Sequence, residues 1–320
     1  MPFQTYEEFN EKVMSRYQAQ DYQRTFDLLD QEGSNFPEQA HQTHYLKACM
    51  AVRLERPDQA IALIEEAMQG AGWYGEELMR NSPSFAPLQG MPHFERLVEL
   101  GKRRQQAAQG ELNSLTLEPE GGCMGEQPCS LVLSLHGNAE NGTISLNAWR
   151  SVVNRGRLLA ALRSGQAIAG WQSVWTDVET SMQAVTEQYA KLMERYNIES
   201  SKTIIGGFSM GGEIALRTAL QGTIPVQGFL LLAPSLPSMD ELEGLLTIRE
   251  QVDRRRLRGY VMLGGDDLTI SSEDVGAAVK RLNEGGIPTH LGVLPGVAHR
   301  YPPNFDEVIT RGIDFIEQQS

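Results

Sequence analysis

Apolar residues along the first third of the chain recur at helical spacing. Over residues 60–68 they stand three and four positions apart, which marks one face of a helix. No segment before residue 110 alternates in the way a strand does. The pattern therefore predicts an all-helical domain over residues 1–110.

Two segments of this helical region, 17–29 and 52–64, align with each other at an offset of 35 positions. Both patterns predict a helix, a tight turn and a second helix. Because the offset is close to the repeat of about 34 residues found in tetratricopeptide proteins, the region resembles a short array of such repeats. The stretch 82–97 is interpreted as its cap, and the charged stretch 101–110 as the approach to the domain boundary.

Beyond residue 110 short apolar runs alternate with amphipathic segments. Such alternation forces parallel pairing of the strands, so we expect a doubly wound, mostly parallel α/β sheet over residues 111–320. Two further segments, 149–157 and 236–252, are expected to be mobile and to line a pocket. The predicted strands are 112–117, 131–135, 157–162, 203–207, 228–233, 259–263 and 289–294, and the predicted helices are 176–196, 213–220, 273–283 and 305–318.

Ser209 is the centre of a Gly-x-Ser-x-Gly run between a predicted strand and a predicted helix. A nucleophile on a sharp strand-to-helix turn needs small neighbours, which Gly207 and Gly211 supply. A serine that merely caps the helix would also suit a glycine-rich turn. The strand before it and the helix after it favour a nucleophile.

A serine hydroxyl needs a general base and an acid that orients this base. In a parallel sheet these groups come from loops at the carboxyl ends of the strands. His299 follows the last predicted strand, whereas His290 falls inside that strand and is expected to be structural. Asp267, after the preceding strand, is the preferred acid, and Asp266 and Asp240 remain alternatives. The order serine, aspartate, histidine is the one expected of this fold.

Acyl transfer also needs backbone amides that stabilise the negative oxygen of the tetrahedral intermediate. Met210 follows the nucleophile and is one candidate donor. Asn138, in the loop after the first central strand, is the other. There Gly137 gives the backbone room to turn, and His136 is expected to brace the loop.

Four motifs together resemble the α/β-hydrolase superfamily, and within it the carboxylesterase and phospholipase-like serine esterases. The resemblance extends over residues 112–320 and implies hydrolysis of a carboxylic ester or thioester through an acyl-enzyme. It also implies that His136, Gly137, Gln166 and Trp171, or Trp175, line the substrate site. The motifs are 135–138, 207–212, 264–267 and 296–299.

The loop after the first central strand departs from many relatives because Asn138, Glu140 and Asn141 are polar. A small or polar acyl group is therefore as compatible with it as a lipid. A peptidase or an acyltransferase would use the same triad. A third hypothesis is an interaction protein with a scaffold hydrolase domain. The helical region would then bind a partner, or it would pack on the hydrolase domain.

Composition narrows the possible partners. A formal net charge of −13 and a pI near 5.0 argue against a nucleic-acid partner. No apolar run approaches the roughly 20 residues that span a bilayer, and the N-terminal residues do not form a secretory signal, so a cytoplasmic protein is expected. Cys49, Cys123 and Cys129 are expected to be free thiols. We expect neither a metal nor a cofactor, and a small-molecule ester or thioester as substrate.

Overall fold

The computed structural model describes residues 3, 6–70, 72–252 and 257–318 of the chain. Backbone contacts divide it into one unit of Met1–Gln109 with Ala167–Gly170 and a second of Gly110–Gln166 with Trp171–Ser320. The sequence predicts a domain boundary between residues 110 and 111. This differs from the division by one residue and by the short segment Ala167–Gly170.

In its described part the first unit contains six α-helices, and α1 with α2 and α3 with α4 pack as successive pairs. Pro57 and Pro92 begin α4 and α6, at a position where the missing N–H has no helical partner to lose. The tetratricopeptide-like repeat stays an interpretation of the sequence. The helices are α1 (Tyr6–Gln18), α2 (Tyr22–Glu32), α3 (Ala40–Arg53), α4 (Pro57–Ala67), α5 (Glu76–Asn81) and α6 (Pro92–Ala108).

The charged stretch at the predicted domain boundary belongs mostly to a helix. Helix α6 runs through it to Ala108 because Phe94, Leu97, Val98 and Gly101 are buried on one face. The charged residues that follow Gly101 occupy the remaining surface of the same amphipathic helix. Among the described residues of the whole chain, no helix is long and apolar enough to cross a membrane.

Seven strands of the described chain form the sheet of the second unit, in the order β1-β3-β2-β6-β7-β8-β9. The edge strand β1 is antiparallel to β3, and every other neighbouring pair is parallel. This confirms the predicted doubly wound, mostly parallel α/β fold. The strands are β1 (Leu115–Leu117), β2 (Cys129–Leu135), β3 (Arg157–Leu162), β6 (Ile198–Phe208), β7 (Gly228–Leu232), β8 (Arg258–Gly264) and β9 (Thr289–Leu294), and two short strands outside the sheet are β4 (Gln166–Ala169) and β5 (Gln172–Val174).

Helices cover the sheet and explain why its central strands are rich in buried apolar residues. Every residue of β3 and of β7 is buried, as expected for parallel strands with helices on both faces. The carboxyl ends of the parallel strands share one edge, where their loops meet. The helices are α7 (Gly142–Trp149), α8 (Val178–Arg195), α9 (Met210–Gln221), α10 (Met239–Val252), α11 (Ser272–Glu284) and α12 (Phe305–Glu317).

The two segments expected to be mobile contribute side chains to the core. Trp149 ends α7, is fully buried and packs edge-on against Phe305 of α12 at 5.3 Å between ring centroids. The segment 236–252 is mostly helix α10, in which Leu242 is fully buried. The mobility of these segments stays a prediction, and their packing could not be predicted because the partners of these apolar side chains are distant in sequence.

Cys123 and Cys129 form a disulfide, so the expectation of free thiols is wrong for this pair, whereas Cys49 is free and buried. The backbone of Asn197 brings the two cysteines together. Its amide donates to the Cys123 carbonyl at 2.8 Å, and its carbonyl accepts from the Cys129 amide at 2.8 Å. Because disulfides are more typical of oxidising compartments, the cytoplasmic location stays a prediction.

We expect the double substitution Cys123→Ser/Cys129→Ser to lower the free energy of unfolding by about 2 kcal/mol. The bond closes a loop whose ends are six positions apart, and opening this loop gives conformational freedom back to the unfolded chain. Urea denaturation of both proteins with and without reductant measures the effect. Reductant should destabilise the wild type alone, and equal stability of all four samples would contradict a stabilising role for the bond.

Candidate active site

Ser209 stands at the turn between β6 and α9, at the carboxyl-terminal edge of the sheet. Its backbone has φ 52° and ψ −122°, a strained conformation that nucleophiles adopt at such turns. A Cβ on Gly207 would lie 2.4 Å from the Gly211 carbonyl oxygen, and one on Gly211 would lie 2.2 Å from that of His136. Both glycine positions of the motif are therefore closed to any larger residue.

The loop after β9 brings the ring of His299 to Ser209. Nε2 of His299 lies 3.0 Å from Oγ of Ser209, and Nδ1 lies 2.8 Å from Oδ2 of Asp267. The Phe208 ring packs against the imidazole at 4.8 Å between centroids and limits its movement. With Nδ1–H donating to the carboxylate, Nε2 is free to accept the serine proton.

The Asp267 side chain is fully buried below His299. Its Oδ1 accepts hydrogen bonds from the amides of Thr269, at 2.8 Å, and Ile270, at 3.0 Å. Burial by itself raises the pKa of Asp267, but the Ile270 amide, His299 and the Thr269 amide together lower it below the ordinary value. The carboxylate is therefore charged and available to His299 at neutral pH.

The other candidate acids and bases lie elsewhere. Asp266 is exposed, and its amide donates to the Val297 carbonyl at 2.9 Å. Asp240 lies in the first turn of α10. His290 lies in β9, as expected, and stacks on Tyr260 at 4.9 Å between centroids. Of the predicted acids, the structure brings Asp267 to His299.

The two candidate oxyanion donors belong to neighbouring backbone segments. Met210 is the first residue of α9, so its amide has no acceptor within the helix. Asn138 lies in the loop after β2, whose His136 carbonyl approaches Gly211 in the first turn of α9. The side chain of Asn138 is turned away to accept the Trp175 amide at 2.8 Å, which anchors the loop.

The polar residues of this loop hydrogen-bond to the protein itself. Asn141 caps α7 with its Oδ1 and donates through Nδ2 to the Trp171 carbonyl at 2.9 Å. Glu140 accepts the Gly137 amide through Oε2 at 2.8 Å. Together with the Asn138 contact, these bonds explain the polar residues as braces. The inference of a polar acyl group from this loop therefore loses its basis.

His136 is fully buried beside this loop and braces it. Its Nδ1 lies 2.7 Å from the Gly137 carbonyl oxygen, and its Nε2 accepts the Ser164 amide at 3.3 Å. Its ring packs against the tilted ring of Trp175 at 4.9 Å between centroids. Burial lowers the pKa of His136 to about 4, so the ring is neutral and does not exchange protons with a substrate at neutral pH.

The amide of Gln166 forms its hydrogen bonds within the protein, and the substrate contact that the resemblance implies stays a prediction. Its Nε2 donates to the Asp177 carbonyl and to Ser181 Oγ, and its Oε1 accepts from Thr176 Oγ1 and the Asp177 amide. All four hydrogen-bonding positions of the amide are thus used to fix the start of α8. Trp171 is partly buried, and its contact with a substrate stays a prediction.

A groove of about 420 Å³ lies between the segment after β7 and the segment after β8. Its wall is hydrogen-bonded to the backbone of the nucleophile residue, because the amide of Ser235 on this wall donates to the Ser209 carbonyl at 3.0 Å. Part of this wall belongs to the segment 236–252, which the sequence predicts to line a pocket. The apolar residues that line it are Pro234, Leu236, Pro237, Met239, Ile270, Ala277 and Ala278.

An ion network that the sequence did not reveal joins the nucleophile helix to this groove. Arg217 of α9 pairs with Glu213 at 2.8 Å and with Glu241 of α10 at 3.0 Å. Glu241 in turn accepts from the amide and the hydroxyl of Ser238. These Ser238 bonds, followed by Arg217, lower the pKa of Glu241 to about 2. Only the i,i+4 pair within α9 could have been read from the sequence.

Two family models match the chain, one in each half. Residues 5–109 match the N-terminal domain of A/B hydrolase-like proteins. Residues 169–315 match the phospholipase/carboxylesterase family. Acyl-protein thioesterase 1 of Mycosarcoma maydis is 32% identical over 79 residues, which cover 25% of this chain and 33% of that protein. This likeness thus spans about a third of the relative.

Among solved structures, an uncharacterised protein from Bacillus cereus ATCC 10987 resembles the whole chain. It is 27% identical with a TM-score of 0.56, covering 99% of this chain and 100% of that one. Esterase PE8 is 18% identical with a TM-score of 0.54, over 62% of this chain and 96% of that one. The Bacillus cereus carboxylesterase is 14% identical with a TM-score of 0.50, over 65% and 95%. The two esterase likenesses show the fold alone.

Proposed function

We propose that this chain hydrolyses a carboxylic ester or thioester with Ser209 as nucleophile, a proposal supported by the match of residues 169–315 to the phospholipase/carboxylesterase family. The observation that carries the proposal is the hydrogen-bonded chain from Ser209 Oγ through both nitrogens of His299 to Asp267 Oδ2. In this mechanism His299 is the general base and acid, and Asp267 orients it.

Acylation begins when Ser209 Oγ attacks the carbonyl carbon of the substrate while its proton passes to Nε2 of His299. The carbonyl π electrons move to oxygen, and the amides of Asn138 and Met210 stabilise the resulting negative charge. Collapse of the intermediate breaks the C–O or C–S bond. His299 returns the proton to the departing alcohol or thiol, and an acyl ester on Ser209 remains.

Deacylation repeats these steps with water. Nε2 of His299 takes a proton from water as its oxygen attacks the acyl carbon, and a second tetrahedral intermediate forms. When this intermediate collapses, the bond to Ser209 Oγ breaks and His299 reprotonates the serine. The carboxylic acid leaves. The low pKa of Asp267 suits this role, since its charge stabilises the imidazolium formed in each half-reaction.

The groove beside Ser209 suggests an uncharged acyl group with an apolar chain as substrate. Its walls combine apolar side chains such as Leu236 and Ile270 with hydroxyl groups and the Asp274 carboxylate, and within the described part of the chain no Lys or Arg lines them. A carboxylate or phosphate on the acyl chain would therefore find no cation there. The match to part of an acyl-protein thioesterase supports the thioester alternative.

A fluorophosphonate probe followed by peptide mapping tests the nucleophile, and two series of p-nitrophenyl esters and acyl thioesters of rising chain length test the substrate. We expect the label on Ser209. Each methylene buried in the groove should raise kcat/KM by up to about fourfold until the groove is filled. A label on any other residue, or a rate that falls from acetate onward, would contradict the proposal.

The groove itself is tested by Met239→Asp, with Ile248→Asp as matched control. Both are exposed apolar residues of α10, at 44% and 39%, but only Met239 lines the groove. We expect Met239→Asp to reduce kcat/KM for octanoate much more than for acetate, because a carboxylate disfavours an apolar chain beside it. Ile248→Asp should leave this ratio unchanged. Equal ratios in both variants would place the acyl chain elsewhere.

A further inference from the structure

Glu140 is a partly buried carboxyl group that the hydrolytic mechanism does not use. It follows Asn138 by two positions in the loop after β2. Among the residues that the structure describes, no Lys, Arg or His forms an ion pair with it. Burying a carboxyl group without an ion pair raises the free energy of the folded protein unless hydrogen bonds compensate. The hydrogen bonds of Glu140 therefore indicate its role.

Two hydrogen bonds close the turn between Gly137 and Glu140. Oε2 of Glu140 accepts the Gly137 amide at 2.8 Å, and the amide of Glu140 donates to the Gly137 carbonyl at 3.2 Å. Ala139 inside this turn has a positive φ of 62°, which an L residue adopts only when its surroundings impose it. The side chain of Glu140 therefore supplies one of the bonds that hold a strained turn.

The same turn is fastened to β5 on its other side. The amide of Ala139 donates to the Ser173 carbonyl at 2.9 Å, and the amide of Ser173 donates to the Glu140 carbonyl at 3.0 Å. These bonds fix the residues around Asn138 but do not reach the Gly137 amide. Without the Glu140 side chain, the Gly137 amide would lose this acceptor, and the turn would depend on the Gly137 carbonyl, which accepts from the Glu140 amide and lies 2.7 Å from His136 Nδ1.

We propose that Glu140 is a positioning residue of the oxyanion loop, whose carboxyl group holds the Gly137 amide and thereby aims the Asn138 amide at the substrate oxygen. This role rests on the serine-hydrolase mechanism proposed for Ser209. Glu140 acts through the backbone of Gly137 and does not touch the substrate.

The electrostatics of the loop fit an acceptor that carries little charge. Burial raises the pKa of Glu140 to about 7, although the Gly137 amide lowers it. A full negative charge here would oppose the oxyanion that forms nearby. The neighbouring titratable groups are neutral: burial lowers the pKa of His136, and burial followed by Glu140 itself raises that of Tyr301 well above its ordinary value.

The test compares Glu140→Ala with Glu140→Gln, which keeps an oxygen acceptor. We expect Glu140→Ala to lower kcat/KM by about 10- to 100-fold, less than loss of an oxyanion donor itself would. Its affinity for a trifluoromethyl ketone, which forms a tetrahedral oxyanion on Ser209, should fall by a similar factor. Binding of the product carboxylic acid should change little, because the acid forms no tetrahedral adduct. Glu140→Gln should stay within about threefold of the wild type in both assays.

Glu118→Ala is the matched control, since Glu118 Oε2 accepts the Cys123 amide at 3.1 Å in another loop of the same unit. It should leave both assays unchanged. Hydrogen exchange of the backbone amides in residues 135–141 measures the stability of the turn independently of activity. It should be faster than in the wild type in Glu140→Ala, but not in Glu140→Gln or Glu118→Ala. Unchanged exchange, or equal loss in the Ala and Gln variants, overturns the role of Glu140. A wild type that takes no fluorophosphonate label at Ser209 overturns the proposed function instead.

Discussion

Ser209→Ala should lose almost all hydrolytic activity, with kcat/KM for a p-nitrophenyl ester falling by about 10⁴- to 10⁶-fold. Without Oγ no acyl-enzyme forms, and His299 has no hydroxyl proton to remove. The remaining activity is direct attack by water on the bound substrate, which the oxyanion donors and substrate binding accelerate. Steady-state kinetics and the burst of p-nitrophenol measure the loss, and the burst should disappear.

Ser201→Ala is the matched control for this substitution. Ser201 lies on the same strand, is exposed, and donates through its hydroxyl to Glu199. Its replacement should leave kinetics, burst and fluorophosphonate labelling unchanged. The nucleophile would be misassigned if Ser209→Ala kept its turnover while remaining folded by circular dichroism.

Asp267→Asn should lower kcat by about 10³- to 10⁴-fold with a small change in KM. An asparagine amide facing Nδ1 of His299 donates where the carboxylate accepted, so the ring proton moves to Nε2. Nε2 then cannot take the proton from Ser209. The buried position is retained, because Oδ1 of asparagine still accepts the amides of Thr269 and Ile270.

Asp266→Asn removes one negative charge from the adjacent position and controls for long-range electrostatics. Because Asp266 is exposed, we expect less than about a twofold change in kcat. Both variants are measured across pH 6 to 9 with the same ester. A larger loss in Asp266→Asn than in Asp267→Asn would reverse the choice of acid.

Much of the sheet could be predicted because burial on both faces leaves a clear mark on the sequence. All of β7 is an uninterrupted apolar run, and Leu131–Leu135 within β2 is apolar except for Ser134. Helix α10 could not be predicted from the sequence, because its apolar residues do not form a clear stripe along one helix face. Its pattern is therefore hard to distinguish from that of a loop. Its order depends on the packing of Leu242 and on the bond from Glu241 to Arg217, which no local pattern reveals.

In the candidate site, too, some residues could be predicted from the sequence and others could not. The Gly-x-Ser-x-Gly run and the order of strand ends pointed to Ser209 and His299, because a parallel sheet fixes where its loops meet. Asp266 and Asp267 are adjacent and chemically identical, so only the backbone direction after β8 separates them. The polar side chains of the oxyanion loop were misread for a related reason, since the partner of Asn138 is the Trp175 amide, distant in sequence.

The link from Arg217 to Glu241 and Ser238 has a practical meaning for protein engineering. Ion pairs and hydrogen bonds of α9 and α10 stabilise the wall of the groove. The groups that form them make none of the hydrogen bonds between Ser209, His299 and Asp267. Residues on the front of that wall can therefore be randomised to select for new acyl groups while the reacting atoms keep their geometry. A library limited to the side chains of Leu236 and Met239 would use this separation.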